Sequence, residues 1–221
     1  MRWSHGDFAA ERERMVARQI AARGIADPRL LAAMRDVPRE AFVPDHLRAR
    51  AFDDSPLPIE AGQTISQPYI VALMIEAARL RVDDRVLEIG AGSGYAAAVM
   101  AQLAGRVLAV ERHAVLARLA AARMERLGFA NVTIVEGDGS NGLPDEAPFD
   151  AILVAATGPD VPEVLLEQLA EGGRLVMPIG AAHGLQSLIR MTRLAPGRFE
   201  RADLGGVRFV PLIGAHGFRE E

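Results

Sequence analysis

From Arg85 onward, short apolar runs suited to strands alternate with longer helical runs, and this alternation limits the architecture more than any other feature. Strand-like runs at 85–89, 106–110, 131–135, 149–154 and 173–177 are interleaved with helical stretches at 95–103, 113–127 and 161–169. Strands buried on both faces read as continuous apolar runs, and a strand–helix–strand crossover sets its two strands parallel. Repeated units of this kind predict an α/β fold: a doubly wound, mostly parallel, Rossmann-like sheet. After Gly180 the helices stop. Runs at 187–193, 199–203 and 207–211 read as strands, which predicts antiparallel additions at the sheet edge.

Upstream the reading is helical. A helix spans 10–22 and closes at Gly24, where glycine suits a C-cap. A second opens at Asp27-Pro28 and stops before Pro38, a third is short at 39–42, and 52–63 reads as loop. An amphipathic helix covers 70–79, started from Ser66-Gln67-Pro68. The expected organisation is a polar extension over 1–14, a candidate for disorder that holds Trp3, and then a single domain over 15–221. Within the domain, 15–80 is the helical segment, 81–180 the core and 181–221 the C-terminal strands.

Bulk properties exclude several classes. The net charge of −4 argues against a protein held to nucleic acid by phosphate contacts. With no cysteine there is no disulfide or thiolate metal site, and no pair of the five histidines has HxxxH spacing, so no metal is expected. Residues 1–15 lack the apolar stretch of a signal peptide. The run at 96–104 is interrupted by Gln102 and is too short to span a bilayer. The expectation is a cytoplasmic protein without membrane or nucleic-acid partners.

The first strand ends in Glu88-x-Gly90-x-Gly92-Ser93-Gly94-Tyr95, followed by a helix. Glycines there permit a tight turn and let a ligand approach the main chain. Glu111 closes the second strand 21 residues after Gly90, where an acid can accept both hydroxyls of a ribose. Turn and acid together read as a nucleoside site. A dinucleotide fingerprint would place its third glycine at position 95, which is Tyr, and Glu88 is poorly matched to a pyrophosphate. The pattern resembles motif I of Rossmann-type methyltransferases, whose ligand is S-adenosyl-L-methionine. Gly137-Asp138-Gly139 follows the third strand, where related methyltransferases set an acid and a glycine near the adenine. The run Arg12, Arg14, Arg18, Arg23, interleaved with Glu11 and Glu13, reads as a solvated helix face, and His113 as a solvated helix start.

A longer resemblance is more specific. Met15 to Ile20, Val37 to Val43, Gly62 to Tyr69, Val86 to Tyr95, Glu111, Gly137 to Gly139, Gly172 to Val176 and Val207 to Leu212 together resemble the protein-L-isoaspartate O-methyltransferases. The resemblance implies methyl esterification of the α-carboxylate of an L-isoaspartyl residue in a damaged polypeptide. The ester then closes spontaneously to a succinimide, which water opens partly to normal aspartate. It implies S-adenosyl-L-methionine as cofactor and S-adenosyl-L-homocysteine as product. Glu88, Gly90, Gly92, Ser93, Gly94, Glu111, Asp138 and Gly139 would hold the cofactor. Thr64, Ile65, Ser66, Val207, Phe209 and Val210 would border the substrate, with Gln67, Tyr69 and Val71 along its groove. Ser66 resembles the family's active-site serine, orienting the carboxylate; the residues alone leave an N-cap role open. A carboxylate of pKa near 3.5 is ionised at neutral pH, so no general base is required. The partners implied are isoaspartyl proteins and peptides, met by a monomer. A dedicated peptide acceptor, or cofactor binding without turnover, are the alternatives. Ala155 to Pro159 departs from the Ala-Ala-Pro turn of many relatives.

Overall fold

The computed structural model describes residues 8–219, so Trp3 and His5 lie outside the described residues. Residues 8–14, assigned to the polar extension, fold onto the domain. Phe8 packs on the core and against Phe52, and α1 (Ala9–Met15) begins at once. A π-helical turn, Val16–Ile20, and a 3-10 turn, Ala21–Arg23, carry the chain to Gly24 at φ 98. The wider π turn leaves Met15, Val16 and Ile20 all buried. α2 (Pro28–Asp36) starts as predicted: the Asp27 side chain accepts from Arg29 N, and Pro28 fills the first position. Arg12, read as solvated, reaches the buried Glu40 at 2.6 Å.

Two short strands, β1 (Leu57–Pro58) and β2 (Thr64–Ile65), pair antiparallel and lead into α3 (Pro68–Ala78). Pro68 fixes the start of α3, and Gln67 precedes it with no side-chain cap. Ser66 is therefore not the cap of this helix. Nor is α3 amphipathic: Pro68, Val71, Ala72, Met74, Ile75, Ala77 and Ala78 are buried around most of its girth.

The remaining strands are β3 (Arg85–Ile89), β4 (Arg106–Glu111), β5 (Val132–Glu136), β6 (Phe149–Val154), β7 (Leu169–Ile179), β8 (Gln186–Ala195) and β9 (Arg198–Val207). They form one sheet in the order β5-β4-β3-β6-β7-β8-β9, parallel from β5 to β7 and antiparallel thereafter. Alternation along each strand divides the core. Val86, Val107, Ala109, Ala151, Leu153 and Val176 face the layer of α3, α4 (Tyr95–Ala101) and α5 (Ala114–Leu127). Leu87, Ile89, Leu108, Val110, Ile152, Val154, Leu175 and Met177 face the other side. Among the described residues that side carries one α-helix, the short α6 (Glu163–Glu167), because Pro162 precedes it and β7 starts at Leu169. The expected helix over 161–169 shrinks accordingly. The order of winding reverses between β3 and β6, and a crevice opens at their carboxyl ends.

The expected strand at 207–211 does not form. β9 ends at Val207, and the chain turns across the carboxyl end of β6: Thr157 N donates to Val210 O at 2.8 Å and Leu212 N to Thr157 O at 2.7 Å. Pro211 has no N–H to extend a ladder. The Gln186 carboxamide replaces a neighbouring strand, its Oε1 accepting from Phe209 N at 2.7 Å and its Nε2 donating to Phe209 O at 3.3 Å. On the opposite flank Gln168 bridges a turn, donating to Asn141 O and accepting from Leu143 N, each at 2.8 Å. Gly142 N within that turn donates to Gly139 O at 2.9 Å. Among the described residues no helix is long and apolar enough to cross a membrane.

Candidate active site

The crevice holds a cavity of about 230 Å³ between the turn after β3, the end of β4 and the turn after β6. The turn is tied down by its own main chain: Gly90 N and Ala91 N both donate to Val110 O, at 2.9 and 3.1 Å. Gly90, Gly92 and Gly94 all have positive φ, 86°, 54° and 88°. Two of them line the cavity; Gly94 does not. A Cβ on Gly94 would lie 2.8 Å from Met124 Cε, so this glycine lets α4 approach α5 and has no part in the cavity wall. Ser93 is buried, lines the cavity and accepts from Tyr95 N at 3.3 Å.

Glu111 is buried at the cavity edge, with Oε2 accepting from Gly92 N at 2.8 Å and Oε1 from His113 N at 2.9 Å. Each oxygen keeps a second lone pair, the set two vicinal ribose hydroxyls need. Glu88 lines the same cavity, and its Oε2 is buried with no partner. Burial, and next the charge of Glu111, push the Glu88 carboxyl well above the usual carboxylate range. Such an acid fits a ligand that brings positive charge. Ile89, Ala91, Val110 and Ile213 supply apolar walls for a ring. Gly139 completes one wall, where a Cβ would collide with Ile89 Cγ2 at 2.6 Å. These residues fit S-adenosyl-L-methionine.

Asp138 is placed differently from expectation. Its carboxylate faces away from the main cavity, accepting from Ser140 N at 2.9 Å, Ser140 Oγ at 2.7 Å and Ala215 N at 2.8 Å. Burial acts to raise its pKa, but the hydrogen bonds from Ala215 and Ser140 outweigh it and hold the carboxyl below its usual value. His113, read as a solvated helix start, lines the cavity.

A second, larger opening of about 960 Å³ runs alongside. Thr64, Ser66, Ala155, Val210 and Pro211 line both spaces, forming their common wall. Ile65 is buried on the cavity side; Val207 and Phe209 belong to the groove. Gln67 and Tyr69 line the groove too, the ring of Tyr69 covered by Arg23 at 3.4 Å, whereas Val71 faces the cavity. Sequence reasoning missed Ala155, Pro211 and Ile213 as wall residues, and Gln186 as the support of Phe209. Ala155 N donates to Ile89 O at 2.8 Å, so the departure at Ala155 to Pro159 keeps the turn joined to β3. Among the described residues no three His, Asp or Glu side chains gather as a metal site.

Residues 10–217 match the family model described as protein-L-isoaspartate(D-aspartate) O-methyltransferase. The chain is 61% identical over 211 residues to protein-L-isoaspartate O-methyltransferase 1 of Rhodopseudomonas palustris strain HaA2, covering 96% of this chain and 86% of that one. A protein-L-isoaspartate O-methyltransferase of Pelobacter propionicus is 56% identical over 94% of this chain and 92% of its own. Among solved structures, a protein-L-isoaspartate O-methyltransferase superposes with a TM-score of 0.83 at 33% identity, covering 93% of this chain and 67% of that one. A Plasmodium falciparum structure described as a methyltransferase of the same kind, in complex with S-adenosyl-L-homocysteine, gives 0.79 at 26% identity over 91% and 98%.

Proposed function

This chain belongs to the protein-L-isoaspartate(D-aspartate) O-methyltransferase family, and we propose that Ser66 is where its acceptor carboxylate is held for methylation. The enzyme uses S-adenosyl-L-methionine to methylate the α-carboxylate of L-isoaspartyl residues in damaged proteins and peptides. The observation that carries the assignment of Ser66 is the common wall: Ser66 borders both the cavity that fits the cofactor and the groove outside it.

When bound, the cofactor supplies an electrophilic sulfonium methyl. The protein's own part is positioning. Glu111 would receive the ribose hydroxyls, the turn Gly90–Gly92 would lie against the ligand, and Glu88 would face its positive charge. Gly139 and Val110 would close the adenine side, with Asp138 holding the segment behind them. Opposite, the Ser66 hydroxyl donates to one oxygen of the acceptor carboxylate and turns the other toward the methyl. Alignment of this kind contributes several kcal/mol where the nucleophile is already ionised. Thr64 and Ile65 border the transfer path, and Val207, Phe209 and Val210 border the peptide. Main-chain contacts suit an acceptor whose flanking sequence varies. The proposal extends to a monomer acting in the cytoplasm on many damaged proteins.

Ser66→Ala, assayed with an isoaspartyl peptide and its aspartyl twin, tests the assignment. Loss of one hydrogen bond to a charged group predicts roughly a 10- to 100-fold fall in kcat/KM on the isoaspartyl peptide. Cofactor affinity and melting temperature should hold. Unchanged turnover would remove Ser66 from the site, and equal wild-type rates on both peptides would contradict the substrate.

A further inference from the structure

Arg39 lines neither the cavity nor the groove and is fully buried. A buried charge is ordinarily paired with an opposite one. Among the described residues no carboxylate pairs with Arg39, and its neighbour Glu40 is paired with Arg12 instead. Two of its donors go to main-chain carbonyls, Nε to Ala51 O at 2.7 Å and Nη2 to Ser66 O at 2.8 Å, and the Tyr95 side chain also interacts favourably with the guanidinium. Nη1 is buried without a partner. The guanidinium carbon lies 4.6 Å from the centre of the Tyr95 ring, and Tyr95 lines the cofactor cavity. One side chain thus touches the residue proposed to hold the acceptor and a wall of the cofactor site. An unpaired cation of this kind opposes folding. Its location beside a site that must take up an anion gives it a use.

We propose that Arg39 is a positioning residue for the methyl acceptor: its unpaired buried guanidinium fixes the Ser66 main chain and supplies the positive potential that draws the isoaspartyl carboxylate to Ser66. The inference rests on the reading of Ser66 given above. It divides into two measurable parts. The carboxylate loses its charge as the methyl arrives, so the attraction favours the bound acceptor and acts on KM. The two-pronged hold on Ser66 and Ala51 acts on geometry, and so on kcat.

Arg39→Met and Arg39→Lys separate the parts, with melting temperature and calorimetric affinity for S-adenosyl-L-homocysteine measured on each. Arg39→Met removes the charge at similar reach; it should raise KM for an isoaspartyl peptide on the order of tenfold while cofactor affinity changes by less than about twofold. Arg39→Lys restores the charge but not the fork; KM should recover and kcat stay several-fold low. A folded Arg39→Met enzyme with unchanged KM overturns the proposal, as does a KM rise matched by an equal loss of cofactor affinity. Where Arg39→Met does not fold, Arg39→Lys decides: normal kcat overturns the positioning role, and reduced kcat with KM and cofactor affinity intact supports it. Ser66→Ala in parallel keeps the two readings apart. Normal turnover there strikes at Ser66, whereas impaired Ser66→Ala beside wild-type kinetics in both Arg39 variants strikes at Arg39 alone.

Discussion

Gly94→Ala and Gly92→Ala should behave as different kinds of mutation, although the glycines stand two residues apart in one motif. Gly94 has φ 88 and ψ 3, and an L-residue held there costs about 1–2 kcal/mol. Its new methyl would stand 2.8 Å from Met124 Cε and 3.4 Å from Ala120 Cβ on α5. The Met124 methyl ends a flexible chain and can yield, adding about 1 kcal/mol of repacking. A total of roughly 2–3 kcal/mol, at about 2–4 °C per kcal/mol for a chain of this size, predicts a melting point lower by about 4–12 °C. Gly94 does not line the cavity, so affinity for S-adenosyl-L-homocysteine should stay within about twofold at a temperature where the variant is folded. Gly92 reverses the pattern. Its φ of 54 is a milder left-handed value, and an added Cβ meets only Ile59 Cδ1, at an ordinary 3.6 Å. It does line the cavity, so the melting point should move by only a few degrees while affinity falls on the order of tenfold. Calorimetric titration and thermal melts of both variants check this. A Gly94→Ala protein that melts normally but loses as much affinity as Gly92→Ala would refute the division of roles.

Other expectations follow from the buried acids and the groove. Glu88 has a raised native pKa, so its contribution to stability is fully present below the unfolded value of 4.5 and is lost as pH rises through the native value. Glu88→Gln should therefore match wild type in cofactor-free melts near pH 4.5 and melt higher at pH 8; an offset independent of pH would contradict the burial argument. Asp138 has the opposite sign, a lowered native pKa, and stabilises above 3.8 with loss as pH falls through the depressed value. Asp138→Asn should lower the melting point by a few degrees at pH 7 and speed amide exchange over 213–218, since Ala215 N donates to the lost carboxylate; unaltered exchange there would refute it. Gln186→Leu leaves Phe209 N and O unpaired, which should raise KM for peptide with little change in cofactor affinity; normal peptide kinetics would show that the segment holds its shape without the carboxamide.

The inner parallel strands β3, β4 and β6 were legible because they are buried on both faces and so read as unbroken apolar runs, such as Val86–Leu87 beside Val107–Leu108. Glu111 was legible because its distance from the glycine turn is set by one crossover. The same signals failed where local pattern and tertiary contact part company. Val207 to Pro211 has strand composition, but its hydrogen bonds go to Thr157 and to a side chain, and nothing in its own residues announces either. Ser66 before Gln67-Pro68 looks like a cap, yet α3 begins one residue too late for it. Gly94 belongs to a ligand motif by spacing and to helix packing by geometry. Arg39 lies in the Val37 to Val43 segment of the resemblance, but nothing in that segment announces that its guanidinium is buried.

The turn pinned by Gln168 has one more consequence. Asn141-Gly142 pairs the residue most readily deamidated with the neighbour that least hinders the reaction, in which the glycine nitrogen attacks the asparagine side-chain carbonyl. Here that nitrogen is bonded to Gly139 O, Asn141 O is held by Gln168, and Gly142 is wedged where a Cβ would collide with Gln168 Oε1. The main chain cannot swing into the ring-closing conformation without breaking this lattice. Ring closure at Asn141 therefore requires the hydrogen bonds of Gly142 N and Asn141 O to break first, beside the wall that Gly139 forms.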